Sequence, residues 1–259
     1  MSKRSIILCE GFDEVYILGY YLFKTNSWKL VSNNKNKKFS EYYSLPKVNP
    51  RNQLIEIYEK NEDRLAIWSV GGKDNFLKAF QSIKEINLNQ PEYAINQVFI
   101  IQDRDNSEIE SALEKIKSTL EISGINIEKL NNNTLNTWNF QSEGENYVTD
   151  IIPIVLPFDE RGAIETILMR AISESSEEEN YIVNEANKYI DIERFFIPEV
   201  KLNKYLKHQR EILKARFSAV ISVTNPDRST ATFNTLLMSH SWEEKEEIKK
   251  HFGLLNTLL

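Results

Sequence analysis

Short apolar runs that end abruptly in glycine or polar residues recur along the first half of the chain, separated by amphipathic stretches. Ser5-Ile6-Ile7-Leu8-Cys9 is apolar throughout, as a strand buried on both faces would be, and it stops at Glu10-Gly11. Val15, Leu18 and Leu22 then recur at helical spacing. Residues 25–50 are rich in lysine and asparagine, lack periodicity, and read as a loop or small insertion; a short helix carrying Leu54, Ile57 and Tyr58 is expected after it. Leu65–Val70 predicts a second strand, closed by Gly71-Gly72, and Phe76, Leu77 and Phe80 give the following helix its apolar face. A third strand is expected at Gln97–Ile101, running into Asp103-Arg104-Asp105. Ile109, Leu113, Ile116 and Leu120 line one side of the helix beyond it. Thr134–Phe140 and Val148–Leu156 read as further strands, the latter bounded by Pro157. Helices are then expected over 162–174, 180–195, 200–222 and 241–251, with a break at Asn225-Pro226-Asp227. Strands alternating with helices predict a parallel α/β sheet flanked by helices, followed by a mostly helical C-terminal part.

Composition narrows the class. A chain of 259 residues makes one large domain or two small ones, and a hydrophobic share of 41% is that of a folded protein. Apolar runs such as Val98–Ile101 and Ile151–Leu156 fall far short of the roughly 18 residues of a membrane helix. The opening Met1-Ser2-Lys3-Arg4 leads into too short an apolar stretch for a signal peptide, so a cytoplasmic protein without a membrane partner is expected. Cys9, the single cysteine, excludes an intrachain disulfide and any zinc site built on several thiolates. His208, His240 and His251 show no ligand spacing with one another or with Cys9. Neither a P-loop nor a Gly-x-Ser-x-Gly nucleophile motif is present. Phe195-Phe196, Phe217 and Trp242 are expected to pack helices, and Cys9 to fill core.

The net charge of -6 argues against a uniformly basic coat for nucleic acid, yet charge is uneven. Lys24, Lys29, Lys35, Lys37 and Lys38 follow one another without an intervening acid, and Glu211 is the sole acid between Lys201 and Arg216. Such stretches are compatible with binding a polyanion and equally with solvated surfaces.

The polar residues closing the strands carry the candidate chemistry, because ligands of open α/β sheets sit beyond the carboxyl ends of the strands. The first strand ends in Glu10, with Glu14 one helical turn further on, and the third ends in Asp103 and Asp105. Side chains two apart on an extended segment share a face, so the two aspartates suit one hard cation such as Mg²⁺. If the first and third strands are neighbours, all four acids form one cluster, repulsive without a metal or raised pKa values. Gly71-Gly72-Lys73 opens a helix after a strand. Its N–H groups and lysine suit a phosphate, and the same residues suit an ordinary tight turn. An isolated Asp-x-Asp or Glu-Gly is common in exposed loops; their combination and order are what single them out.

That order, Ile6-Ile7-Leu8-Cys9-Glu10-Gly11 and later Phe99-Ile100-Ile101-Gln102-Asp103-Arg104-Asp105, resembles the Toprim domain of topoisomerases, bacterial primases and OLD-family nucleases. The spacing from Glu10 to Glu14 is similar to the nuclease branch. The resemblance covers about residues 5–125, and the remainder looks like a small stand-alone Toprim-like family in which a Gly-x-x-Glu step follows the sheet, here Gly162-Ala163-Ile164-Glu165. It implies a Toprim-like (Rossmann-like) catalytic domain over 1–140, with a basic insertion at about 25–62, and a strand plus helical extension over 141–259. It further implies that Asp103 and Asp105 hold Mg²⁺ or Mn²⁺, that Glu10 is general acid/base or bridging ligand, and that Glu14 and Glu165 complete a second metal position. Gly11, Gly71, Gly72 and Lys73 would meet phosphate, with Lys73 and Lys214 offsetting charge during reaction; Lys214 equally suits a solvated helix face. Position 107 is serine, so the third acid of an Asp-x-Asp-x-Asp version is absent, which weakens a topoisomerase or primase reading. The implied activity is metal-dependent phosphotransfer on nucleic acid, DNA before RNA, as a nuclease in phage defence or DNA processing, with a homo-oligomer compatible. The alternatives are an inactive Toprim module binding metal, nucleotide or a partner protein, and an enzyme of a small phosphorylated ligand.

Overall fold

The computed structural model describes residues 3–33, 43–46, 49, 51–142, 144–191, 205–225, 237 and 240–259. The chain divides into two compact units: the first takes Met1–Gln102, Ile109–Val155 and Leu254–Leu259, the second Asp103–Glu108 and Leu156–Gly253.

A seven-stranded sheet underlies the first unit. Its strands are β1 (Arg4–Cys9), β2 (Lys29–Asn33), β3 (Leu54–Lys60), β4 (Asp63–Ser69), β5 (Gln97–Asp103), β6 (Asn136–Ser142) and β7 (Glu145–Leu156), in the order β2-β3-β4-β1-β5-β7-β6. β1 pairs in parallel with β4 on one side, Ile7 opposite Ile67, and with β5 on the other, Ile7 opposite Phe99. Covered on both faces, it needs an unbroken apolar run rather than alternation. Towards the edges, β2–β3–β4 and β6–β7 pair antiparallel. The expected parallel sheet is therefore present at the centre, and the sheet as a whole is mixed.

Corrections fall between residues 25 and 62. Leu54–Lys60 is a strand, not a helix, and Leu54, Ile55, Glu56, Ile57 and Tyr58 are all buried. Burial of both faces erases the two-residue alternation, leaving apolar positions that imitate helical spacing. β3 turns into β4 with Lys60 opposite Asp63, and Asn61 supplies the left-handed φ of 56° that the tight turn requires. Lys29–Asn33, expected as loop, forms the edge strand β2, with a bulge between Leu30 and Ser32.

Ile6, Leu8, Ile57, Ala66, Val98 and Ile100 face one core with Phe76, Phe80 and Ile83 of α2 (Phe76–Asn89) and Leu113, Ile116 and Leu120 of α3 (Ile109–Ser123). Burying each large side chain of this kind contributes about 1.5–3 kcal/mol. α1 (Phe12–Asn26) packs against β3 and β4, with Asp13 and Glu14 in its first turn and Lys24 in its last, matching the helix dipole. Gly19 permits this approach, because a Cβ there would overlap the Tyr58 hydroxyl, which donates to Glu56 Oε2 at 2.5 Å. Cys9 is fully buried, as expected of a core residue.

The second unit is largely helical. α4 (Ile164–Ser173), α5 (Glu177–Tyr189) and α6 (Gln209–Thr224) pack on one another through residues such as Ile167, Leu168, Val183, Ala186 and Leu213. Ser176 starts α5 by accepting the Glu179 N–H. Trp242 is fully buried ahead of α7 (Glu246–Leu258). Phe195 and Phe196 lie outside the described residues, as do positions 200–204 of the expected helix.

Candidate functional site

In the first unit, parallel pairing of β1 with β4 continues past both strands. The Val70 N–H donates to the Cys9 carbonyl at 2.8 Å, and the Glu10 carbonyl accepts from Gly71 at 3.1 Å and Gly72 at 3.0 Å. Gly71 has φ of 80°, and a Cβ there would sit 2.7 Å from the Asn52 carbonyl oxygen, so the turn requires glycine. Beyond this turn Lys73 brings Nζ to 3.5 Å from Glu10 Oε1. Glu10 is 4% exposed and Glu14, in the first turn of α1, is 7% exposed. Gly11 is the extended residue that precedes α1. The Gly71 and Gly72 N–H groups, expected to suit a phosphate, donate to the Glu10 carbonyl and hold the loop to β1.

The second unit carries the other acids. Asp103 is 9% exposed, and its Oδ1 accepts the Ile164 N–H at 2.9 Å. Ala163, which precedes α4, has no side-chain oxygen, so Asp103 satisfies a first-turn donor there and gains from the positive helix end. The Asp105 N–H donates to the Gly162 carbonyl at 2.8 Å, and Asp105 takes a φ of 52°. The segment is thus no longer extended at Asp105. Glu165, 6% exposed on α4, has its Oε1 3.8 Å from Lys214 Nζ on α6.

Arg104, between the two aspartates, is a buried organiser that gave no signal in sequence. Its backbone N–H donates to the Leu156 carbonyl at 2.8 Å, while its guanidinium reaches the carbonyls of Ser107, Pro157 and Phe158 and the Glu108 carboxylate at 3.0 Å. Glu108 also meets Arg161 at 2.5 Å, and this pairing above all holds its carboxyl below the usual range. The loop after β5 is consequently fixed by charge-assisted bonds on both sides.

Each unit therefore holds buried carboxylates, with a lysine against one of them: Lys73 with Glu10, Lys214 with Glu165. Among the described residues no group of three or more His, Cys, Asp or Glu is placed to hold a metal ion. The three histidines likewise form no ligand set. His251 is fully buried, its Nε2 accepting the Phe158 N–H at 3.2 Å, and His240 lies 3.4 Å from Glu179. No helix among the described residues is long and apolar enough to cross a membrane.

Fold and acids together define an α/β protein with buried carboxylates following the strands. The chain belongs to the family described as "Protein of unknown function (DUF3226)", whose model matches residues 4–258. No curated protein matches the chain. Among solved structures it is similar to the crystal structure of hypothetical protein PH0156 from Pyrococcus horikoshii OT3, at 14% identity over 92% of this chain and 99% of that one, with a TM-score of 0.48. Similarity of that order carries no functional content.

Proposed function

We propose that this chain is a Toprim-like, divalent-metal-dependent phosphodiesterase of the cytoplasm, cutting nucleic acid, DNA in preference to RNA, in phage defence or DNA processing. The observation that carries the reading is the burial of Glu10, Glu14, Asp103 and Glu165, all under 10% exposed. Burying a carboxylate is costly, and proteins keep such groups chiefly where they are paired or functional. In support, β1 and β5, whose sequences run into Glu10 and Asp103, are parallel neighbours, with Leu8 opposite Ile100.

The donors suit a hard cation: they are carboxylate oxygens rather than thiolates or imidazoles. A dedicated cage of protein ligands does not fit, since no group of three is assembled among the described residues. Magnesium bound by one or two carboxylates, with water and substrate phosphate in its other positions, does fit. Asp103 and Asp105 would hold it, two carboxylates on one ion. When bound, such an ion supplies Lewis-acid charge at phosphoryl oxygens. The chain's own contribution is proton transfer at the Glu10 carboxylate and positive charge from Lys73 and Lys214.

Plasmid and single-stranded DNA are expected to be cut with Mg²⁺ or Mn²⁺ and left intact in EDTA, and Glu10→Gln or Asp103→Asn is expected to abolish cutting. Equal inertness of wild type and both variants on DNA and RNA at every metal concentration would overturn the enzyme reading. The lysine pairing of Glu10 and Glu165 favours a second reading, a binding module without turnover; metal or DNA affinity without cleavage would identify it.

A further inference from the structure

Within the second unit a cleft of about 350 Å³ opens between α4, α5 and α6, inside the size range of small-ligand sites. Its wall is amide-rich. Asn180, Asn184 and Asn187 recur on α5 at a spacing that sets them on one helix face, and all three line the cleft with Gln209 of α6. Among the described residues Asn184 Nδ2 bonds only to Asn180 Oδ1, at 3.4 Å, and the amides of Asn187 and Gln209 have no hydrogen-bond partner.

Charge in the cleft is equally specific. Arg161 is compensated by Glu108, and Arg170 by Asp159, Glu160 and Glu247. Arg216 differs. Half-buried on α6, it pairs with no carboxylate among the described residues, and its one hydrogen bond runs from Nε to the Ile190 carbonyl at 3.4 Å. The face of its guanidinium that offers paired donors is left for a ligand. Glu160, the single acid of the wall, is engaged by Arg170 at 2.5 Å. Met169 and Leu213 add an apolar patch.

We propose that this cleft binds a nucleoside monophosphate. Arg216 takes the phosphate, one uncompensated guanidinium for one phosphate group. Asn184, Asn187 and Gln209 take the base, because each amide presents a donor beside an acceptor, the pattern that reads a nucleobase edge. Met169 and Leu213 cover the ring. The volume suits one nucleotide rather than an oligonucleotide. This site uses none of the acids assigned to phosphodiester cleavage and stands independently of that assignment.

The test is calorimetric titration of the full chain in EDTA with the four nucleoside 5′-monophosphates, ribose 5-phosphate and inorganic phosphate. At least one nucleotide is expected to bind at a single site about tenfold or more tighter than ribose 5-phosphate. Arg216→Gln is expected to weaken it about tenfold, as loss of a charge-assisted hydrogen bond does. Asn187→Ala should weaken the nucleotide and leave ribose 5-phosphate unchanged, and Asn187→Asp should weaken both by repelling phosphate. Melting curves verify that each variant folds; if Arg216→Gln does not, the two Asn187 variants carry the test. The proposal is overturned if no nucleotide binds, if ribose 5-phosphate or phosphate binds as tightly, or if folded variants bind like wild type. Because no divalent ion is present, failure of the nuclease reading leaves this outcome untouched.

Discussion

Replacing Lys73 by methionine keeps the alkyl stem and deletes the charge beside Glu10. The two groups lie 3.5 Å apart, with the lysine side chain 36% exposed and the glutamate 4%. Coulomb's law at that distance with an effective dielectric of about 20 gives about 5 kcal/mol of attraction. Water around a partly exposed amine and the solvation it regains on unfolding reduce the net contribution, so Lys73→Met should destabilise by about 2 kcal/mol. Urea denaturation followed by far-UV circular dichroism reads this directly. Glu10→Gln in the same background should recover about half the loss, because a buried carboxamide needs no counter-charge, and a double-mutant cycle should return a coupling of about 1 kcal/mol or more. Mg²⁺ should raise the melting temperature of Lys73→Met more than that of wild type, since a cation can then reach the carboxylate. A single variant within about 0.5 kcal/mol of wild type, or a coupling near zero, would refute the view that Lys73 is the cation that stabilises Glu10.

Two further outcomes follow from packing and protonation. Gly19→Ala gains about 1 kcal/mol of helix propensity, yet displacing Tyr58 from Glu56 costs more, so a net loss of about 1–3 kcal/mol is expected in urea melts, smaller in a Tyr58→Phe background. His251 is held neutral by burial, against the opposing pull of the Glu247 carbonyl and carboxylate and of Asp159, with Lys250 adding to the effect of burial, so its pKa lies below the ordinary value. The unfolded chain therefore takes up protons first: stability falls as pH drops below about 6.5 and levels off beneath the folded pKa, by up to about 1.4 kcal/mol per pH unit. Melts at pH 7.5 and pH 5 should show wild type losing more than His251→Gln, and equal losses would contradict this assignment.

What sequence alone reveals here tracks how each element is covered. β1, β4 and β5 are legible because each is an unbroken apolar run closed by a glycine or an acid, and α1, α2 and α3 because one face of each meets water. β3 is not, since burial of Leu54 to Tyr58 on both faces removes alternation and Glu56 is buried among them. The placement of β1 between β4 and β5 depends on long-range pairing that periodicity does not encode. At the site, residue types mark Glu10, Glu14, Asp103 and Glu165, while their partners stay hidden: Lys73 reaches Glu10 only because the Glu10 carbonyl anchors the two glycines before it. Arg104 and Glu108 lie in a charged loop indistinguishable from solvated surface until the carbonyls around the guanidinium are known.

The central place of β1 also sets an order of events during synthesis. Translation delivers the innermost strand first, yet β4 and then β5 must emerge before both its edges are satisfied. Throughout that interval Ile6, Ile7 and Leu8 form a sticky, unpaired segment on the ribosome, the kind of exposure that invites chaperone capture or aggregation. Yield in a cell should accordingly depend on how quickly residues up to Asp103 are made, and slow codons ahead of β5 would prolong the vulnerable stage.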